Sequence, residues 1–313
     1  SRHHLKRQVM CSQQHSDLAT LTSMTPSTEV PPNEYPPVFI GMPVYNEASY
    51  IHDALGSLLA QDYPNLTVYV SDNASTDDTQ AIVTRLAAED SRVTYERLTT
   101  NIGAAANFRY VERQCDGEFF MWAAGHDLWS PTLLSEAVSL LVEHQDAVLA
   151  VVPCRWIDES GDLLEKESGH TDTRGMGPIE RFNTVYWGNM HPILGLIRRS
   201  HMNQVQPLKD CVGTDLIYLT ELALRGDFLM ASGATWSRRA NRAEESNAQR
   251  MQRYTSSDYA LTKSLLDRHL PLLRLPLELL KVVARSRLAM LEKAALMVSL
   301  CASLPVRYLS GRQ

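Results

Sequence analysis

Four short polar stretches carry most of the chemistry-bearing residues of this chain. "PVYNE" (43–47) offers Tyr45 and Glu47, and "SDNASTDDT" (71–79) offers Asp72. "TTNIGAAANF" (99–108) is an Asn/Gly turn, and "GHDLWSP" (125–131) sets His126 beside Asp127. Each follows an apolar run that reads as a β-strand. A carboxylate at the end of a buried strand is costly unless something nearby uses it. An aromatic ring that can stack on a base, and an acid that can accept from a base edge or ribose hydroxyl, suit a nucleotide. No GxGxxG follows the first strand, and no GxxxxGK followed by Ser or Thr occurs anywhere, so a glycine-rich phosphate loop is not expected. A hard divalent cation, Mg2+ or Mn2+, sharing carboxylate and phosphate oxygens is the natural substitute, with Asp127 as its ligand. His126 is then a nitrogen ligand, which favours manganese, or a neutral donor.

Each of these residues also has a plain structural reading. Asp127 suits the approach to a helix introduced by Pro131. Asp72, like Asp77 and Asp78, can organise its own turn. Tyr45 can be a core aromatic. Placement favours the ligand reading, because open parallel sheets bind ligands outside the carboxyl ends of their strands.

The elements that must position these motifs alternate regularly. Strands are expected at 38–42, 66–72, 93–98, 118–124 and 147–152, with helices at 48–61, near 77–89, after 103 and after Pro131. Such βα units imply a right-handed, doubly wound, mostly parallel sheet with helices on both faces. Beyond Pro153 the rhythm weakens. Residues 158–178 read as a long loop, 191–200 as another strand, and 214–226 as a capped amphipathic helix ending at Gly226. From about 261 the chain is Leu-rich and helical.

The 313 residues, 44% hydrophobic and 21% charged, suffice for a full-sized core, and a net charge of −6 argues against nucleic-acid binding. That charge is uneven: from Arg268 onward eight Lys/Arg face two Asp/Glu. A basic, Leu-rich extension, including Leu272, Leu273, Leu275, Leu279 and Leu280 with Arg274 and Lys281, is either a solvated helical subdomain or an interfacial helix on an anionic membrane. Five cysteines without a CxxC pair fit a reducing compartment. Residues 1–36 lack the apolar segment of a signal peptide and read as a disordered leader. A cytoplasmic protein, soluble or peripheral on a membrane, is expected. The expected domains are the leader (1–36), a body in two halves (37–152 and 153–260), and a helical extension (261–313).

From Val38 to about Phe228 the sequence resembles the family 2 glycosyltransferases, which have the GT-A fold. "PVYNE", "SDNASTDDT", "NIGAAANF" and "HDLWSP" are similar to that family's successive nucleotide-side motifs. The resemblance implies a nucleotide-diphospho-sugar donor and a hydroxyl acceptor: a glycan, a lipid-linked glycan or a small molecule. It implies that Pro43, Tyr45, Glu47 and Asp72 hold the nucleoside, that Asn101 and Gly103 lie beside the ribose and diphosphate, and that Asp127 ligates the metal. Ala124 and His126 stand where the family often has acids. "GTDLIYLTELALRG" is similar to the family's general-base element, which makes Asp215 the base of an inverting displacement; as a bare pattern it is also an ordinary helix cap. Two functions follow: a metal-assisted inverting glycosyltransferase in polysaccharide or glycolipid synthesis, or a non-catalytic sugar-nucleotide-binding relative acting as sensor or scaffold.

Overall fold

The computed structural model describes residues 35–240, apart from 167 and 169–171, and residues 273–309. The expected leader, except for Tyr35 and Pro36, and the expected boundary near 260 lie outside the described residues.

The first half follows the alternation of the sequence. Strands β1 (Val38–Val44), β2 (Leu66–Asp72), β3 (Val93–Arg97), β4 (Phe119–Trp122) and the short β5 (Leu128–Trp129) alternate with helices α1 (Ile51–Leu59), α2 (Thr79–Glu89), α3 (Ala104–Arg113) and α4 (Leu133–Glu143). β1 is apolar along its length and covered on both faces, as a central parallel strand must be. α1 buries Ile51, Ala54, Leu55 and Leu58, spaced for one helical stripe. Burying each of its larger side chains there contributes on the order of 2 kcal/mol. One core lies between the sheet and α1, α2 and α4; a second, around Phe39, Phe120 and Trp122, lies under α3 on the opposite face.

The second half departs from expectation. After β6 (Ala147–Val151) and β7 (Cys154–Ile157) comes a helix the sequence pattern does not announce, α5 (Pro178–Trp187). The expected strand at 191–200 is a single 3-10 turn (His191–Leu194), a three-residue strand β8 (Leu196–Arg198) and a short α6 (Arg199–Met202). α7 (Thr214–Ala223), β9 (Asp227–Met230) and β10 (Trp236–Arg239) follow, then α8 (Arg274–Arg285) and α9 (Met290–Leu309).

The main sheet has the order β3-β2-β1-β4-β8-β6-β9, and only β8 runs antiparallel to its neighbours. A second sheet, β5-β10-β7, was not expected and stands beside the motif around Asp127. α7 is not amphipathic: everything from Leu216 to Ala223 is buried, because α5 and α8 cover the side it turns away from the sheet. Two of its polar groups are paired, Thr220 donating to the Leu216 carbonyl and Glu221 accepting from the Gln206 amide. No described helix is long and apolar enough to cross a membrane.

Candidate active site

Strands β2 and β3 lie on one side of β1, and β4 lies on the other. The strand order therefore reverses between β1 and β4, and the crevice beyond their carboxyl ends is where this architecture binds ligands. Register fixes the level of the motifs, since Val44 pairs with Asp72 and Asp72 with Arg97. The first two loops are then laced together. Asn46 accepts from the Thr76 amide, Ser75 and Thr79 hydroxyls accept from the Asn46 and Glu47 amides, and Asp77 accepts from the Ala48 amide. Asn46 takes a left-handed φ of 56° to do this, a conformation asparagine tolerates. The fourth loop packs on the first: a Cβ at Gly125 would meet Glu47 Cγ at 2.9 Å, so only glycine lets the chain pass. His126 Nδ1 donates to Glu47 Oε1 at 3.0 Å.

Asp127 is held from the far half of the chain. Its Oδ2 accepts from the Trp236 indole at 3.0 Å and its Oδ1 from the Arg239 amide at 2.9 Å, both on β10. The Arg239 side chain completes a clamp, donating to the carbonyls of His126, Asp158 and Glu159 while lying over the Tyr50 ring. Asp127 is not the cap of α4; that position is Thr132. Burial pushes its carboxyl above the usual range, opposed by His126, the Arg239 amide, Arg238 and the Trp236 indole. Each of its oxygens accepts one hydrogen bond and keeps a second lone pair. Among the described residues no cluster of three His, Cys, Asp or Glu forms a metal cage. Asp127 is thus a single carboxylate at this loop, and a cation held there would take the rest of its shell from phosphate oxygens and water.

Pro43, Tyr45, Glu47, Asn101, Gly103 and His126 share the wall of one cavity of about 560 Å³ with Asp127 and Asp215. Tyr45 stands at its mouth, 45% exposed, and is not a core aromatic. Gly103 has a left-handed φ of 85° where the chain turns into α3. Asp72, expected at the nucleoside, does not line this cavity. It is wholly buried behind the wall, its carboxylate accepting from the Ser75 amide and the Tyr95 hydroxyl. Successive side chains of an extended segment point to opposite sides, so Asn73 faces the cavity instead, its amide bonded to Asn101 and to the Ile102 amide. Trp122 and Trp129 are core residues.

From the second half of the chain the wall contains Thr214, Asp215, His191, Trp236 and Arg238. The last two were not among the expected site residues. Arg238 lies over the Trp156 ring at 4.7 Å and near Trp236 at 6.0 Å. His191 meets the same two rings, at 5.8 and 5.4 Å. Burial, with Arg238 and Lys166 nearby, holds its imidazole down to about 4, and its buried Nδ1 lacks a partner. The neutral His191 imidazole, the Arg238 guanidinium and the carboxylates of Glu47, Asp127 and Asp215 therefore border one space.

Comparison with known proteins agrees with this geometry. A model described as glycosyl transferase family 2 matches residues 39–196, from β1 into β8. This chain belongs to glycosyl transferase family 2. It is 36% identical over 121 residues to an uncharacterised protein of Mycobacterium tuberculosis, covering 37% of this chain and 35% of that protein. It is 33% identical over 113 residues to a poly(ribitol-phosphate) β-N-acetylglucosaminyltransferase of Staphylococcus aureus, covering 35% of this chain and 20% of the relative. The chain thus matches about a third of the length of the M. tuberculosis relative. The S. aureus enzyme's residues 1–349, solved with UDP-GlcNAc, superpose at a TM-score of 0.60 with 18% identity, over 85% of this chain and 71% of that one. A mannosyltransferase of Pyrobaculum calidifontis, solved with GDP-mannose and Mn2+, gives 0.50 with 19% identity, over 89% and 88%. These superpositions establish the GT-A fold.

Proposed function

We propose that this family 2 member is an inverting glycosyltransferase that moves a sugar from a nucleotide-diphospho-sugar to a hydroxyl acceptor, with Mg2+ or Mn2+ as cofactor. The observation that carries this reading is the meeting of Asp127 and Asp215, from opposite halves of the chain, in the wall of one cavity at the switch point. Residues 37–152 hold the donor in this reading, and 153–260 the acceptor side.

The base lies against Tyr45, with Asn73 and Asn101 offering amides to base edge or ribose. Pro43, Glu47 and Gly103 shape the floor, and the Glu47–His126 pair fixes the fourth loop. Asp127, oriented by Trp236 and Arg239, is the carboxylate that would hold the cation, which would supply stabilisation of the charge developing on the leaving group. Arg238 adds a fixed positive charge near the same place. Asp215 accepts the proton of the acceptor hydroxyl as its oxygen bonds to the anomeric carbon and the bond to the phosphate oxygen breaks. A positioned base of this kind contributes about 10²–10⁴-fold. His191, neutral at physiological pH, offers the acceptor a hydrogen-bonding nitrogen. The solved relatives bound UDP-GlcNAc and GDP-mannose, and donors of both bases are candidates here.

The test is Asp215→Asn: transfer falls by about 10²–10⁴-fold while donor affinity stays within a factor of two or so. Undiminished turnover removes Asp215 from the mechanism. The sensor reading is favoured by the sparse acidic set around Asp127. Donor binding by the wild type with neither transfer nor slow donor hydrolysis would select it.

A further inference from the structure

The outward side of α9 carries almost no charge. The helix docks through Leu296, Leu300 and Leu304, the first two sharing a core with Leu216, Ile217 and Leu279 of α7 and α8. On the opposite side, spacings of three and four bring Leu291, Ala295, Val298, Ala302 and Val306 onto one stripe. All five face solvent, with Leu291 86%, Val298 70% and Val306 57% exposed. A helix on the outside of a water-soluble domain normally carries its charges there, yet none occurs from Ala294 through Val306. A contiguous apolar surface of this kind marks a contact with something other than water.

Two of the leucines that the sequence offered for this role are not available, while Leu273, just ahead of α8, is 45% exposed. Leu275 and Leu279 are buried against α7, and Leu272 lies outside the described residues. The apolar surface has moved one helix along the chain.

Charge identifies the partner. Residues 281–313 hold six Lys/Arg against one Glu, a net +5 in a chain of net −6. Lys281, Arg285 and Arg287 are exposed along α8 and at the corner where it meets α9, and Arg307 and Arg312 come later in the sequence. Apolar residues flanked by cationic ends are the pattern of a helix lying in a headgroup layer. A second copy packed on this face would bring two strongly positive segments together, whereas an anionic leaflet attracts them, by about fivefold in affinity per residue. We propose that the outer face of α9 is a docking surface for an anionic lipid bilayer, with the helix in the plane of the interface.

Vesicle sedimentation of the full chain tests this without any nucleotide, so its outcome is independent of the donor site. The probes are phosphatidylcholine vesicles with and without phosphatidylglycerol. The variants are Leu291→Glu with Val298→Glu, and separately Arg285→Glu with Arg287→Glu, all at exposed positions. Expected are pelleting of the wild type with anionic vesicles only, and a loss of at least about tenfold in partitioning for each pair, with circular dichroism and monomeric elution unchanged. Three results overturn the proposal: a wild type that stays in solution with anionic vesicles, equal pelleting of the Leu291/Val298 pair, or a wild-type oligomer that this pair dissolves without any lipid binding.

Discussion

Glu112→Gln should stabilise the protein at alkaline pH and leave it nearly unchanged in mild acid. Glu112 lies on α3 and Tyr218 on α7, the two helices whose N-terminal ends contribute Gly103 and Asp215 to the cavity. Glu112 Oε2 and the Tyr218 hydroxyl are both buried without a hydrogen-bond partner. Burial pushes the Glu112 carboxyl from 4.5 up to about 7, with Arg113, Arg109 and Tyr218 opposing. Below pH 4.5 the folded and unfolded chains are both protonated here, and folding gains or loses nothing. As pH rises from 4.5 to about 7 the unfolded chain ionises first, so stability falls through that window and then levels off. At about 1.4 kcal/mol per pH unit, the full loss is about 3 kcal/mol, an upper bound because the side chain keeps some contact with water. Glutamine keeps the shape and cannot ionise. In urea unfolding at pH 5 and pH 8, the variant's advantage over wild type should grow by about 2 kcal/mol between the two. An advantage that stays constant within about 0.5 kcal/mol would show that Glu112 ionises normally, and the argument from burial fails.

Tyr45→Ala removes an exposed ring, so stability should change by less than about 0.5 kcal/mol, while affinity for nucleoside diphosphates falls by about 1–3 kcal/mol, the worth of a base–aromatic stack. Unchanged affinity by calorimetry would place the base elsewhere. Gly125→Ala drives a methyl into Glu47 Cγ and should cost about 1–3 kcal/mol of stability. It should also uncouple Glu47 from His126 and weaken donor binding beyond that of Glu47→Gln. A variant as stable as wild type would mean the two loops are looser than described.

The sheet and three of the strand-end loops were legible because central parallel strands are nearly continuous apolar runs, broken by turn residues at each carboxyl end. The errors have local causes. Asp72 and Asn73 are neighbours on an alternating chain, and only register decides which one faces the cavity. β8 is three residues inside a longer apolar run, and its antiparallel direction leaves no mark in composition. β10 ends in two arginines that look solvated, yet Arg239 is buried by donating to carbonyls, which no sequence pattern records. α7 has the polar groups of a surface helix, but α5 and α8 bury them. For the same reason Leu275 and Leu279 look available for a membrane until α7 is seen to cover them. Asp215 was placed by resemblance alone; its presence in the cavity with Asp127 required the fold.

Titration with UDP-GlcNAc and GDP-mannose, with Mn2+ and then with a chelator, bears most directly on the role given to Asp127. The account predicts that at least one donor binds the wild type, and that the chelator weakens this binding by tenfold or so. It also predicts that Asp127→Asn binds with or without the cation at that weaker level. Tight binding indifferent to both the cation and Asp127 would contradict it.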